Sequence, residues 1–293
     1  MDPWQDIERS IREASGAPFA IESSGAVGGG CINQGYRVRG KDAAYFVKVN
    51  EPTRLPMFEA EAAGLAELAR SSTVRVPRPV CHGANARASW IALEWIEFGR
   101  AGSAGMRELG RGLARLHRVS GERYGWHRDN TIGATQQINT PGADWVAFWR
   151  EHRLGYQLKL AAGNGHRGRL QDDGARLLDR LPAFFEGYRP APSLLHGDLW
   201  SGNAGFDANG APVIYDPAVY YGDREADLAM TGLFGGFSPD FYSGYREEFP
   251  LDPGYARRKD LYNLYHVLNH LNLFGGGYRA QAERMITQLL ASV

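Results

Sequence analysis

The chain has 293 residues, too long for one ordinary domain and suited to two. Lys+Arg and Asp+Glu both number 33, so no basic surplus exists to displace counterions from a nucleic acid, and no apolar run approaches the roughly 18 residues that span a bilayer. Two cysteines with no Cys/His cluster at zinc spacing exclude a disulfide framework, and the acidic start at Asp2, Asp6 and Glu8 is unlike a signal peptide, so a cytoplasmic protein is expected.

Residues 2–16 carry Trp4, Ile7 and Ile11 at helical spacing and predict a short amphipathic helix. From Gly25 to Asn50 the pattern is strand-like, with Gly40-Lys41-Asp42 as a hairpin turn. Residues 55–70 return to helical period, with Phe58, Leu65 and Leu68 on one face. Val74 to Val80 is extended because its prolines forbid helix, and Ser89 to Trp95 reads as a buried strand. From about residue 103, Met106, Leu109, Leu113 and Leu116 restore helical spacing. The remainder reads as mostly helical, with a single interruption from Leu194 to Tyr221. A break near Glu97–Ser103 then separates an N-terminal lobe, 1–98, from a larger C-terminal lobe, 99–293.

The segment from Leu194 to Asn203, Leu-Leu-His-Gly-Asp-Leu-Trp-Ser-Gly-Asn, carries the most chemistry, followed by Val213-Ile-Tyr-Asp-Pro217. Phosphoryl transfer needs a carboxylate to accept the proton of the attacking hydroxyl and oxygen ligands that hold Mg²⁺ against the phosphates. Asp198 and Asn203, five apart on a Gly-containing loop, with Asp216 at a strand end, supply that set. Read blandly, His-Gly-Asp is a turn and Asn203 a cap. The chain has four lysines, and Lys48 alone sits inside an apolar strand, where its ammonium needs a counter-charge. Glu61 projects from the apolar stripe of the next helix and is the expected partner, whereas Glu59, about 200° round the helix, should face water. Gly28, Gly29 and Gly30 would let backbone N–H groups approach phosphates. Asp207, in the turn beside Asn209-Gly210, is expected to be an inert carboxylate for comparison.

These motifs resemble the fructosamine kinase (ketosamine-3-kinase) family, within the protein-kinase-like fold shared with aminoglycoside phosphotransferases and choline kinases. The similarity runs from about Ile21 to the last helix, through Gly28-Gly-Gly-Cys-Ile-Asn33, Phe46-Val-Lys-Val-Asn50, Met57–Leu65, Leu195–Asn203, Asp216-Pro-Ala218, Asp227-Leu-Ala229 and Phe234-Gly-Gly-Phe237. The resemblance implies an α+β, two-lobed fold: a small antiparallel sheet with one helix, then a larger, mostly helical lobe. It implies an ATP- and Mg²⁺-dependent kinase acting on the 3-hydroxyl of a ketoamine sugar, on a small molecule or a protein, with deglycation as the outcome. Carried over, Asp198 is the proton acceptor, Asn203 and Asp216 are Mg²⁺ ligands, and Lys48 clamps phosphate with Glu61 as its partner. Glu94, Trp95 and Ile96 form the hinge at adenine. The Gly loop departs from the kinase G-x-G-x-x-G.

Several residues carry two readings. His196 supports the loop structurally, and Asp227 either bonds backbone N–H groups of the catalytic loop or caps its helix. Trp200 either stacks on the sugar or packs in the core. His266 and His270 share a helix face with Asn269, lining the acceptor pocket or forming a satisfied polar seam. Cys31, next to Gly30, is either a redox-sensitive thiol in the phosphate loop or merely a small residue that a tight loop tolerates, with Cys81 as the internal control. Two other functions remain open: a kinase for an aminoglycoside, choline or another amino alcohol, and a nucleotide-binding regulator without turnover.

Overall fold

Ile7 and Ile11 line one side of α1 (Pro3–Ser15), and that side is sealed against a sheet. The sheet is formed by β1 (Ser23–Val27), β2 (Gln34–Arg39), β3 (Ala44–Asn50), β4 (Pro79–Ala84) and β5 (Ser89–Glu94), in the order β1-β2-β3-β5-β4, antiparallel throughout. Alternation along β3 decides what each face receives. Tyr45, Val47 and Val49 join the cluster of Ile7, Ile11, Phe19, Val38 and Trp90 under α1. Phe46 and Lys48 therefore point to the opposite face. There α2 (Leu55–Arg70) lies, burying Phe58, Leu65 and Leu68. The sheet thus carries two helices, one more than the kinase-like pattern implied.

The computed structural model describes residues 3–28 and 32–293. They divide into two compact units: the chain through Gly105 together with Gly202–Pro217, and Met106–Ser201 with Ala218–Val293. The division falls in the first turn of α3 (Ser103–Leu116).

The second unit is mostly helical. After α3 come β6 (Asn130–Ile132) and β7 (Thr135–Gln137), an antiparallel hairpin. Next are α4 (Trp145–Trp149), a π-helical turn over Arg150–Gly155, α5 (Tyr156–Gly163) and α6 (Arg169–Arg180). β8 (Ser193–Leu195) leads into the His196–Asp198 loop. The chain then rejoins the first unit as a hairpin of β9 (Ala204–Phe206) and β10 (Pro212–Ile214). It returns as β11 (Tyr220–Gly222), which pairs with β8, followed by α7 (Glu225–Met230), α8 (Pro239–Glu248), α9 (Tyr255–Phe274) and α10 (Tyr278–Ala291). α9 is buried along most of its length, with Leu261, Leu264, Val267 and Leu268 in the core and Arg258, Asn263, His266 and Asn269 also buried. No described helix is long and apolar enough to cross a membrane.

The expectation of one interruption in the C-terminal helical region fails. Residues 117–144 are also non-helical, holding β6 and β7. Three-residue strands are too short to show a period of two, and Gly121, Gly125, Gly133 and Gly142 prevent a helical repeat from persisting.

Candidate active site

In the first unit, the pleat of β3 sends Lys48 to the α2 face, where its Nζ donates to Glu61 Oε1 at 2.7 Å and to Asp216 Oδ1 at 2.6 Å. The Lys48 side chain is 7% exposed. Burial by itself would depress the ammonium, but the Asp216 and Glu61 carboxylates outweigh it and hold Lys48 above its ordinary range. Burial pushes the Glu61 carboxyl up, against the pull of Lys48. Glu59 is half-buried rather than open to water.

Asp216 has φ +57°, the left-handed region that Asp enters more readily than most residues, at roughly 1–2 kcal/mol. The Asn203 amide donates to the Asp216 carbonyl at 3.5 Å, which joins the two residues across the open end of the β9–β10 hairpin. Gly28 is exposed; Gly29, Gly30 and Cys31 lie outside the described residues. At the segment expected to be the hinge, the Glu94 amide donates to the Arg78 carbonyl at 2.9 Å, and the Trp95 indole N–H donates to Glu97 at 2.8 Å beneath the Arg37 guanidinium. Ile96 is buried. Cys81 is half-buried, and burial pushes its thiol up to about 11, away from thiolate character.

In the second unit the geometry around Asp198 is set through backbone. Asp227, on the first turn of α7, accepts the His196 N–H at 2.7 Å and the Gly197 N–H at 2.8 Å. The N-cap of α7 is Arg224, so the carboxylate serves the loop rather than its own helix. Burial alone would raise Asp227, but the His117 ring and the Gly197 N–H outweigh it and hold the carboxyl below its ordinary value. His117 gave no signal in the sequence. Its Nε2 donates to Asp227 at 3.1 Å and its Nδ1 meets the Tyr245 hydroxyl at 2.8 Å. His196 is fully buried, and its Nδ1 accepts the Asp198 N–H at 3.3 Å. Gly197 has φ +85°, and a Cβ there would stand 2.0 Å from the Ala218 oxygen, so no other residue fits.

Trp200 is half-buried and meets Phe234 edge-on at 6.5 Å; Phe234 in turn lies 4.6 Å from His270. His270 donates from Nδ1 to the His266 carbonyl at 2.8 Å. His266 itself is buried, which pushes its ring down to about 3 and keeps it neutral. Asn269 joins Gln157 and the Ile132 carbonyl, whereas the buried His266 Nδ1 meets no partner among the described residues, so the polar seam is bonded only in part. The sequence pattern Asp198-x₄-Asn203 crosses the division of the chain: Asp198 belongs to the second unit, and Asn203, Asp216, Lys48 and Glu61 belong to the first.

Oxygen donors of this kind suit Mg²⁺. One carboxylate and one amide oxygen are too few to enclose it, and among the described residues no group of three or more His, Cys, Asp or Glu side chains would hold a metal. That matches the use of Mg²⁺ by phosphate-handling proteins, where the phosphates themselves complete the shell.

The model of the family described as fructosamine kinase matches residues 3–292. A Synechocystis protein named a probable ketoamine kinase is 50% identical, over 98% of this chain and 97% of its own. A chloroplastic protein-ribulosamine 3-kinase of Oryza sativa is 45% identical, over 94% of this chain and 81% of its own. A solved structure from Haemophilus somnus, described as a fructosamine-3-kinase, superposes with a TM-score of 0.90 at 30% identity, covering 98% of this chain and 97% of that one. An aminoglycoside phosphotransferase structure matches with a TM-score of 0.64 at 13% identity over 98% of both chains, a likeness of fold alone, and it gives the α+β architecture as protein-kinase-like. On the family model, the full-length relatives and the shared fold, the chain belongs to the fructosamine kinase family.

Proposed function

We propose that the protein is an ATP-dependent kinase that phosphorylates the 3-hydroxyl of the sugar in ketosamines, the fructosamine or ribulosamine adducts of amines. The observation that carries this reading is the buried Lys48 ammonium held between Glu61 and Asp216. A buried ion pair is weak evidence for stability, because desolvation offsets most of its attraction. A fixed cation is, by contrast, what orients the α- and β-phosphates of a nucleotide.

Asp198 accepts the proton of the sugar hydroxyl as its oxygen attacks the γ-phosphorus and ADP departs. Asn203 and Asp216 hold Mg²⁺, which neutralises charge on the phosphates. Gly28 to Gly30 approach the phosphates through backbone N–H groups, and Glu94 to Ile96 meet adenine. The Glu94 amide is bonded to the Arg78 carbonyl and is not offered to adenine. Trp200, His266 and His270 face the acceptor; His196 and Asp227 support the loop that carries Asp198. The nucleotide is thus handled chiefly by the lobe of residues 1–98 and the acceptor by residues 99–293. A phosphate at the third carbon is allylic to the enaminol formed at the first two carbons. It leaves readily from there, so the adduct breaks down and frees the amine. The partner is a small-molecule or protein-bound ketoamine, and the working compartment is the cytoplasm.

The test is Mg²⁺-dependent ADP release with a ribulosamine and a fructosamine side by side, against an aminoglycoside and choline. Release with either ketoamine and none with the other two is expected. Turnover on an aminoglycoside or choline alone would overturn the substrate assignment. ATP binding without ADP release on any acceptor would favour a regulator.

A further inference from the structure

The hairpin of β6 and β7 grips the segment that returns from Asp216 to β11. Gln137 Nε2 donates to the Ala218 carbonyl at 3.0 Å, and Asn130 Nδ2 donates to the Val219 carbonyl at 2.7 Å. The two amides are bonded to each other at 2.8 Å and sit opposite at the open end of the hairpin. Each is held from behind. The Tyr265 hydroxyl donates to Gln137 Oε1 at 2.8 Å, and Asn139 donates to Asn130 Oδ1 at 3.0 Å. Arg153, fully buried on the π-helical turn, donates to Asn139 Oδ1 at 2.8 Å and to the Ile138 carbonyl at 2.6 Å. Its guanidinium lies 4.1 Å from the Tyr220 ring centre.

This assembly bears on Ala218. The Ala218 N–H donates to the His196 carbonyl at 2.8 Å, and the Ala218 oxygen occupies the space where a Cβ on Gly197 would be. Gly197 is therefore located from two sides: Asp227 holds its N–H, and the Ala218 carbonyl abuts its Cα. Asp198 is the next residue. Gln137 fixes the Ala218 carbonyl, and any shift of that oxygen passes to Gly197 by direct contact. Gln137, Asn130, Asn139 and Arg153 are all buried, a concentration of polar groups that a purely apolar filler would replace at lower desolvation cost.

We propose that Gln137 is a positioning residue for Asp198, acting through the Ala218 carbonyl and Gly197. The proposal rests on reading Asp198 as the proton acceptor. A displacement of the reacting carboxylate by about 1 Å costs on the order of 10²-fold in rate, so the loss from removing the Gln137 amide should fall between about tenfold and a hundredfold.

The experiment is a double-mutant cycle of Gln137→Met with Asp198→Asn, run well below the melting temperature of each variant. ADP release gives kcat, and calorimetry gives ATP affinity. Gln137→Met alone should lower kcat by that factor and leave ATP affinity within about twofold, whereas in the Asp198→Asn background it should change the residual rate less than about twofold. An equal loss in both backgrounds, or weakened ATP binding with kcat unchanged, overturns the proposal while leaving the role of Asp198 intact. Wild-type turnover by Asp198→Asn overturns the proton-acceptor reading instead. Should Gln137→Met not fold, Tyr265→Phe removes only the hydroxyl that orients the Gln137 amide. The same non-additivity is then expected at about threefold to fivefold, and additivity overturns the proposal.

Discussion

The two units secure their functional groups in opposite ways. In the first, a buried cation is held by two carboxylate side chains, Glu61 buried with it and Asp216 still 43% exposed, so its position depends on charges on side chains. In the second, the loop bearing Asp198 is held by its own backbone, with one buried carboxylate, Asp227, accepting two N–H groups and a glycine seated against a carbonyl. A side-chain clamp can be loosened one charge at a time. A backbone cradle instead fixes the direction of the chain that carries Asp198.

The comparison is most exposed at Asp198. Asp198→Asn should lower kcat by about 10²–10⁴, the usual contribution of a positioned acid–base group, with ATP affinity little changed. Steady-state ADP release and calorimetry check both halves, and a variant keeping a tenth of wild-type turnover would remove Asp198 from the role.

Next in size is the clamp. Lys48→Met should reduce kcat/KM by about 10²–10³ and weaken ATP binding, as expected for loss of a preorganised cation. It also leaves Glu61 buried without its cation, which costs about 3–5 kcal/mol of stability. Glu61→Gln should be milder on both counts, because a neutral amide tolerates burial. If it matched Lys48→Met in activity and in denaturation midpoint, the carboxylate rather than the cation would be the working element.

Asp227→Asn tests the cradle. An amide offers one acceptor oxygen where the carboxylate offers two, so a buried backbone N–H loses its partner, at about 1.5–3 kcal/mol. Urea denaturation should record that loss, and kcat should fall with ATP affinity preserved. Weakened ATP binding with normal kcat would break the distinction between the two modes of holding.

The smallest effect concerns pH. Burial lowers His266 from 6.5 to about 3, so the folded chain keeps the ring neutral. On acidification the unfolded chain takes up this proton first, and stability falls by about 1.4 kcal/mol per pH unit between those values. From pH 6.5 to about 5 this ring should remove about 2 kcal/mol, and His266→Gln should lose that much less over the same interval. Parallel curves would show that His266 is not excluded from protonation.

One sequence expectation is corrected by the packing of the first unit. Asp207 is no inert comparison for Asp216. It is buried, accepts from Arg75 at 2.7 Å and accepts the Asn209 and Ala211 N–H groups, which holds its carboxyl low. Asp42, exposed in the hairpin turn, is the better choice. A turn dipeptide such as Asn209-Gly210 announces a change of direction but not whether a long Arg from residue 75 will reach it.

In the first unit α1, β2, β3, α2 and β5 were legible because their apolar residues recur at the periods of two and 3.6 that backbone geometry imposes, whereas β4 and β9 were not legible as strands. The Lys48–Glu61 pair was legible for the same reason, since a lysine in an apolar strand and a glutamate in an apolar stripe must both point inward. The short hairpin at 130–137 has no period to read. The carboxylate–histidine–tyrosine chain behind Asp198 joins residues 117, 227 and 245. Partners that far apart in sequence are chosen only when buried N–H, C=O and carboxylate groups must find one another in a closed core. The sequence by itself therefore determined which apolar residues turn inward and which polar side chains are candidates for the chemistry. The tertiary structure decided which buried polar groups hold them, because hydrogen-bond satisfaction is a property of the whole interior and leaves no local pattern.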